Sequence, residues 1–109
     1  MLVYRVAPNA SLAALVNPVL EYSGSEQEVA EEGCLSLPQV HVDVERPVHV
    51  RVRALDGFGD QVVVEASGLE ARVIQHEMDH LDGLLILDRT SRDQRKQAIR
   101  AMREARERA

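Results

Sequence analysis

The chain has 109 residues, 45% of them hydrophobic and 28% charged, enough for one modest core and no more than one domain. Aromatic residues make up 3% and the single cysteine is Cys34, which excludes an aromatic platform for nucleic acid bases and an internal disulfide framework. The net charge of −5 is unevenly spread, −10 over residues 1–88 and +5 over residues 89–109, an acidic body with a basic tail suited to an anionic partner.

No apolar run approaches the ~20 residues of a membrane span. Residues 1–6 are too short and too β-like for a signal peptide. A soluble protein of the cytoplasm is the expectation. Residues 2–6 read as a short strand. Residues 14–22 read as a second, with Pro18 placing it at an edge or beside a bulge. Residues 23–32 are polar and read as a loop.

Residues 40–55 alternate, with Val40, Val42 and Val44 before Arg46-Pro47 and Val48, Val50 and Val52 after it. Two half-buried strands meeting at a corner explain that period of two. Asp56-Gly57-Phe58-Gly59-Asp60 is a turn by composition, and residues 61–66 return as the second strand of a hairpin. His41 and His49 fall in these strands and read as ordinary strand residues.

The period then changes. Ser67-Gly68-Leu69-Glu70 has capping-box spacing. No proline interrupts the chain from there to Gly83, a residue type that ends helices. A helix is predicted over 68–82. Residues 84–87 are apolar and read as a last short strand. Ser91 and Gln94 form another capping pair, and a helix is predicted after them. Its stripe of Ala98, Met102 and Ala105 is thin, so it docks only lightly.

Chemistry concentrates in His76-Glu77-Met78-Asp79-His80. Histidines four apart lie one turn apart on one helix face, and Leu69, Val73 and Glu77 share it. Two imidazoles there can hold one metal with Glu77 beside it as a base. The plain alternative is a chance pattern on a solvated helix. Cys34 admits two readings as well, a small buried hydrophobe or a third ligand. In the second case thiolate and two imidazoles leave a tetrahedral position open, as catalytic sites do. Nothing in the spacing forces Cys34 to meet the helix.

Glu32-Gly33-Cys34-Leu35-Ser36 and Gln75-His76-Glu77-Met78-Asp79-His80-Leu81 resemble the second and third signature motifs of peptide deformylases. The resemblance extends through Asn17-Pro18, Arg46, Arg53-Ala54-Leu55-Asp56 and Leu87-Asp88-Arg89, nearly the whole chain. It implies an α+β fold, with small antiparallel sheets around a metal-binding helix and a C-terminal helix. It further implies one domain over 1–109, with a metal-site core over 1–90 and a basic helix over 91–109.

The implied activity is removal of the N-formyl group from the initiator methionine of nascent proteins. The resemblance assigns the metal to Cys34, His76 and His80. Fe²⁺ is the usual ion of such enzymes, with Zn²⁺, Ni²⁺ or Co²⁺ able to replace it. Glu77 becomes general base and acid, and the Leu35 backbone N–H a donor to the formyl oxygen. Leu69 and Val73 are candidate walls for the methionine side chain, though either could be plain core, and Leu35 and His41 are weaker candidates for substrate contact. Glu32, Arg46 and Asp79 are candidate braces, Arg46 either pairing with Glu32 or Asp79 or lying solvent-exposed near the Pro47 corner. The implied partners are N-formylmethionyl nascent peptides and, through the basic helix, the ribosome.

One departure stands out. The family's first motif, Gly-x-Gly-x-Ala-Ala-x-Gln, is absent, and Ser11-Leu12-Ala13-Ala14 supplies neither its glycines nor its glutamine. The N-terminal part of the family fold is therefore expected to be missing. That glutamine is the family's second oxyanion donor, and losing one such donor typically costs ~10²–10³ in rate. A fragment, a short form completed by a partner or a second copy, and a weakly active binding module all fit. A zincin-like peptidase, read from HExxH alone, fits the setting of Cys34 less well.

Overall fold

The computed structural model describes residues 1–4, 12–34 and 37–108, and for Cys34, residues 37–39 and Arg108 the backbone alone. The described elements are β1 (Leu2–Tyr4), β2 (Ala13–Ser23), β3 (Gln27–Cys34), β4 (Leu37–Pro47), β5 (His49–Leu55), β6 (Gln61–Ser67), α1 (Gly68–Leu81) and α2 (Arg92–Arg108). One body comprises Met1–Glu28 and Arg46–Leu84; the other comprises Val29–Glu45 and Leu85–Ala109.

In the first body an antiparallel sheet runs in the order β1-β2-β5-β6. Its inner face follows the valine alternation. Val50, Val52 and Ala54 are buried, opposite Ala66, Val64 and Val62 of β6. Ala71 and Ile74 of α1 pack into the same cluster, with Leu2, Tyr4 and Leu15. Burying each of Val50, Val52 and Ile74 contributes roughly 1.5–3 kcal/mol over leaving it exposed.

β2 pairs with β1 and β5, so it is not an edge strand, and the bulge expected beside Pro18 is present. The register slips between Val16 and Val19 and again between Leu20 and Tyr22. Asn17 sits at φ 51°, a left-handed conformation that asparagine tolerates better than most residues. The β5–β6 turn closes as composition predicted. The Asp56 carboxylate accepts from the N–H groups of Phe58 at 2.9 Å and Asp60 at 3.0 Å.

The start of α1 differs from the expected capping box. Ser67 is the N-cap, but its side chain makes no cap hydrogen bond. Its hydroxyl lies 2.8 Å from His49 Nδ1 instead, across the His49–Ser67 pair of the β5–β6 ladder. The strand partner has taken the hydroxyl that the cap needed. The end of α1 is as expected: Gly83, at φ 76°, donates to the His80 carbonyl at 3.1 Å, and Leu84 donates to the Asp79 carbonyl at 2.8 Å. These two bonds form a Schellman motif.

The second body holds the β3–β4 ribbon and α2. Val40, Val42 and Val44 of β4 pack with Ile86 and Ala98, and Met102 lies against them. Ala105 is exposed, so α2 is docked by a short stripe only. Gln94 also ties it to β4, accepting from the Asp43 N–H at 2.7 Å, while the Thr90 hydroxyl donates to the Asp43 carbonyl at 2.6 Å. These side chains cap one position of a strand that would otherwise present unpaired backbone groups. The Ser91–Gln94 cap forms in part, the Gln94 N–H donating to Ser91 Oγ at 3.2 Å.

Two expectations are corrected here. Residues 27–32, read as loop, belong to β3. Along β3, Val29, Glu31 and Gly33 are exposed while Ala30 is partly covered and Glu32 is buried. Ladder bonding orders this polar strand without a hydrophobic face. Residues 84–87, read as a strand, instead lead into a 3₁₀ turn at Ile86–Asp88. The Asp88 carboxylate accepts from the Leu85 N–H at 2.8 Å, and the Asp88 N–H donates to the Leu85 carbonyl at 2.9 Å. That local loop wins over strand pairing.

Candidate metal centre

α1 has two faces of opposite character. Ala71, Ile74 and Gln75 are buried and Met78 lies against the core. At 100° per residue these positions lie roughly opposite His76 and His80. The core contact therefore turns the histidines away from the sheet and leaves them half-buried.

On that outer face the ligand atoms of His76, Glu77 and His80 all lie within 4.8 Å of one another. The imidazole centroids of His76 and His80 are 4.6 Å apart, with the rings inclined by 70°. Glu77 Oε2 lies 3.8 Å from His80 Nδ1. Two imidazoles one turn apart with a carboxylate at their side suit a borderline divalent cation such as Zn²⁺ or Fe²⁺. The donor set thus fits a metal, with the Glu77 carboxylate beside the two imidazoles.

The rotation of α1 is fixed from the β4–β5 corner. Arg46 donates from its NH1 to Asp79 Oδ2 at 2.9 Å, a buried ion pair. One residue on, the Pro47 carbonyl accepts from Gln75 Nε2 at 3.1 Å, and the Ala71 carbonyl accepts from the same amide at 3.0 Å. Consecutive corner residues thus grip positions 75 and 79, one turn apart and each just before a histidine. Of the two partners expected for Arg46, Asp79 is the one the structure shows in an ion pair with it.

The sequence pattern alone gives Gln75 no role of its own. The signal was there: a glutamine at an otherwise apolar, core-facing helix position has to find partners for its amide.

Cys34 closes β3; its side chain and all of Leu35 lie outside the described residues. Glu32 is buried in the second body. Leu69 is 61% exposed at the start of α1, whereas Val73 lies partly buried against the core. His41 is exposed and His49 is held by Ser67, as expected of strand residues. Residues 5–11, which include Ser11 of the Ser11-Leu12-Ala13-Ala14 stretch, are not described.

The family model for polypeptide deformylase matches residues 1–96. A peptide deformylase of Parafrankia sp. is 46% identical over 91 residues, covering 84% of this chain and 50% of the relative. One from Treponema pallidum is 45% identical over 98 residues, 90% of this chain and 60% of the relative. The crystal structure of a peptide deformylase from Legionella pneumophila superposes with a TM-score of 0.85 at 35% identity, over 96% of this chain and 62% of that one. The chain spans about half to three-fifths of the length of these relatives. On the family model, the sequence identity and the shared α+β fold, the chain belongs to the polypeptide deformylase family.

Proposed function

We propose that this chain carries the metal centre of a hydrolase that removes the formyl group from the N-terminal methionine of newly made proteins. The carrying observation is the His76–Glu77–His80 cluster on one face of α1, in a chain of the polypeptide deformylase family. Cys34, His76 and His80 would hold one divalent ion, and the resemblance to the family favours Fe²⁺. Such an ion supplies Lewis acidity and makes hydroxide available near neutral pH.

The chain's own residues supply the rest. Glu77 takes a proton from the attacking water as the new C–O bond forms at the formyl carbon. It returns that proton to the nitrogen as the C–N bond breaks, releasing formate and a free amine. The Leu35 N–H would donate to the formyl oxygen as its charge grows. Leu69 and Val73, two turns and one turn before His76, offer apolar surface for the methionine side chain. Arg46 and Asp79 keep α1 from turning, which holds both histidines in register, and Glu32 would brace Cys34 from its own strand.

Acting on nascent chains, the protein would work in the cytoplasm. The basic face of α2, with Arg92, Arg95, Lys96, Arg100, Arg103 and Arg106, would meet ribosomal RNA phosphates. Among the described residues no helix is long and apolar enough to cross a membrane.

The test is formate release from formyl-Met-Ala by metal-loaded protein and by Glu77→Ala. The expected result is a loss of about 10²-fold or more in the variant at unchanged metal content. Equal rates in the two proteins would remove Glu77 from the chemistry. Release of a peptide rather than formate would make the protein a peptidase.

A further inference from the structure

Gly33 precedes the proposed thiolate ligand, and its backbone does not explain why it is glycine. The left-handed glycines are Gly59, Gly68 and Gly83. What explains Gly33 is a neighbour. A Cβ at this position would lie 2.7 Å from His41 Nδ1 and 2.8 Å from His41 Cε1, so the imidazole occupies the space a side chain would fill. Glu31 Oε1, two residues earlier along the same face of β3, lies 3.9 Å from the same Nδ1. The ring is bracketed along the strand by Glu31 and Gly33.

We infer that His41 is a positioning residue whose imidazole, seated on Gly33, fixes the end of β3 and with it the backbone of Cys34. The inference rests on Cys34 being a ligand. The ring is no part of the core, since the His41 side chain is 60% exposed. Its loss should therefore loosen the end of a strand without unfolding the protein. What matters is a ring filling the space beside Gly33, so phenylalanine should serve in place of histidine.

The experiment loads Co²⁺ into the wild type, His41→Ala, His41→Phe, Gly33→Ala and the Gly33→Ala/His41→Ala double variant. Affinity is read by competition with a chelator, and thiolate ligation by the sulfur-to-cobalt charge-transfer band. His41→Ala should bind about tenfold more weakly, the low end of what outer-shell partners of metal ligands contribute. His41→Phe should match the wild type. Gly33→Ala should weaken binding in the wild-type background and change nothing further in the His41→Ala background. Wild-type affinity in His41→Ala, weak binding in His41→Phe, or an equal cost of Gly33→Ala in both backgrounds would overturn the inference. If Gly33→Ala fails to fold, the two His41 variants still decide. Cys34→Ala separates the underlying reading: a charge-transfer band that survives it, or that the wild type lacks, means that Cys34 is no ligand.

Discussion

The Arg46 guanidinium and the Asp79 carboxylate meet at 2.9 Å with their side chains only 5% and 11% exposed. Arg51 and Glu65 meet at the same 2.9 Å but at 41% and 55% exposure. Distance is equal, so burial decides what each pair does. Removing one partner of a buried pair strands the other charge away from water, whereas an exposed charge is simply rehydrated.

Urea unfolding should separate the two pairs. Arg46→Met is expected to cost about 3–5 kcal/mol, and Arg51→Met less than about 1 kcal/mol. Because Asp79 sits beside His80, Arg46→Met should also weaken metal binding, as measured by chelator competition. Equal stability losses in the two variants would mean that burial does not govern these pairs.

Gly83 predicts a second contrast. Its φ of 76° is a conformation that costs a side chain roughly 1–2 kcal/mol, and it stands directly after Asp82, the C-cap of α1. Gly57 lies in the β5–β6 turn without positive φ and with nothing within 4 Å of an added Cβ. Gly83→Ala should lower the melting temperature measurably and Gly57→Ala should leave it nearly unchanged.

Alkaline pH should act through Tyr4. Burial, the neighbouring Glu70 charge and the hydrogen bond to Glu70 raise its pKa above the ordinary 10.0. A group whose pKa is raised by folding binds its proton more tightly in the native state. Its contribution is full below pH 10 and is lost as pH rises through the raised value. Melting temperatures above pH 10 should fall more steeply for the wild type than for Tyr4→Phe. Parallel curves would exclude Tyr4 as the cause.

Ribosome association is best tested by charge and not by truncation. Ala98 is part of the second body's core and Gln94 bonds Asp43, so deleting α2 would disturb more than a basic surface. Arg100, Arg103 and Arg106 are exposed. Replacing all three with glutamate should abolish co-sedimentation with ribosomes, and wild-type binding should fall steeply with salt. Salt-insensitive binding, or binding that survives the triple change, would leave α2 a structural element.

The parts legible in sequence were those with a strong local period or a turn residue of special geometry. The valines of β4 and β5, the Asp56 turn, Asn17-Pro18 and Gly83 all behave as their chemistry dictates. β3 was hidden because its order comes from ladder bonds beneath glutamates, leaving no apolar alternation to read. The turn at Ile86–Asp88 was hidden because one side-chain bond from Asp88 outweighs an apolar run. At the site, the histidine pair was visible from spacing alone. The grip of Pro47 on Gln75 was not, because it joins positions 28 apart in the chain through a backbone carbonyl.

Metal stoichiometry tests the central claim most directly. Protein purified without oxygen should carry about one equivalent of divalent metal per chain by elemental analysis, with three ligands leaving a fourth position open. Cys34→Ala, His76→Ala and His80→Ala should each lose it. A full equivalent retained by Cys34→Ala, or none in the wild type after loading with Fe²⁺ or Zn²⁺, would contradict the account.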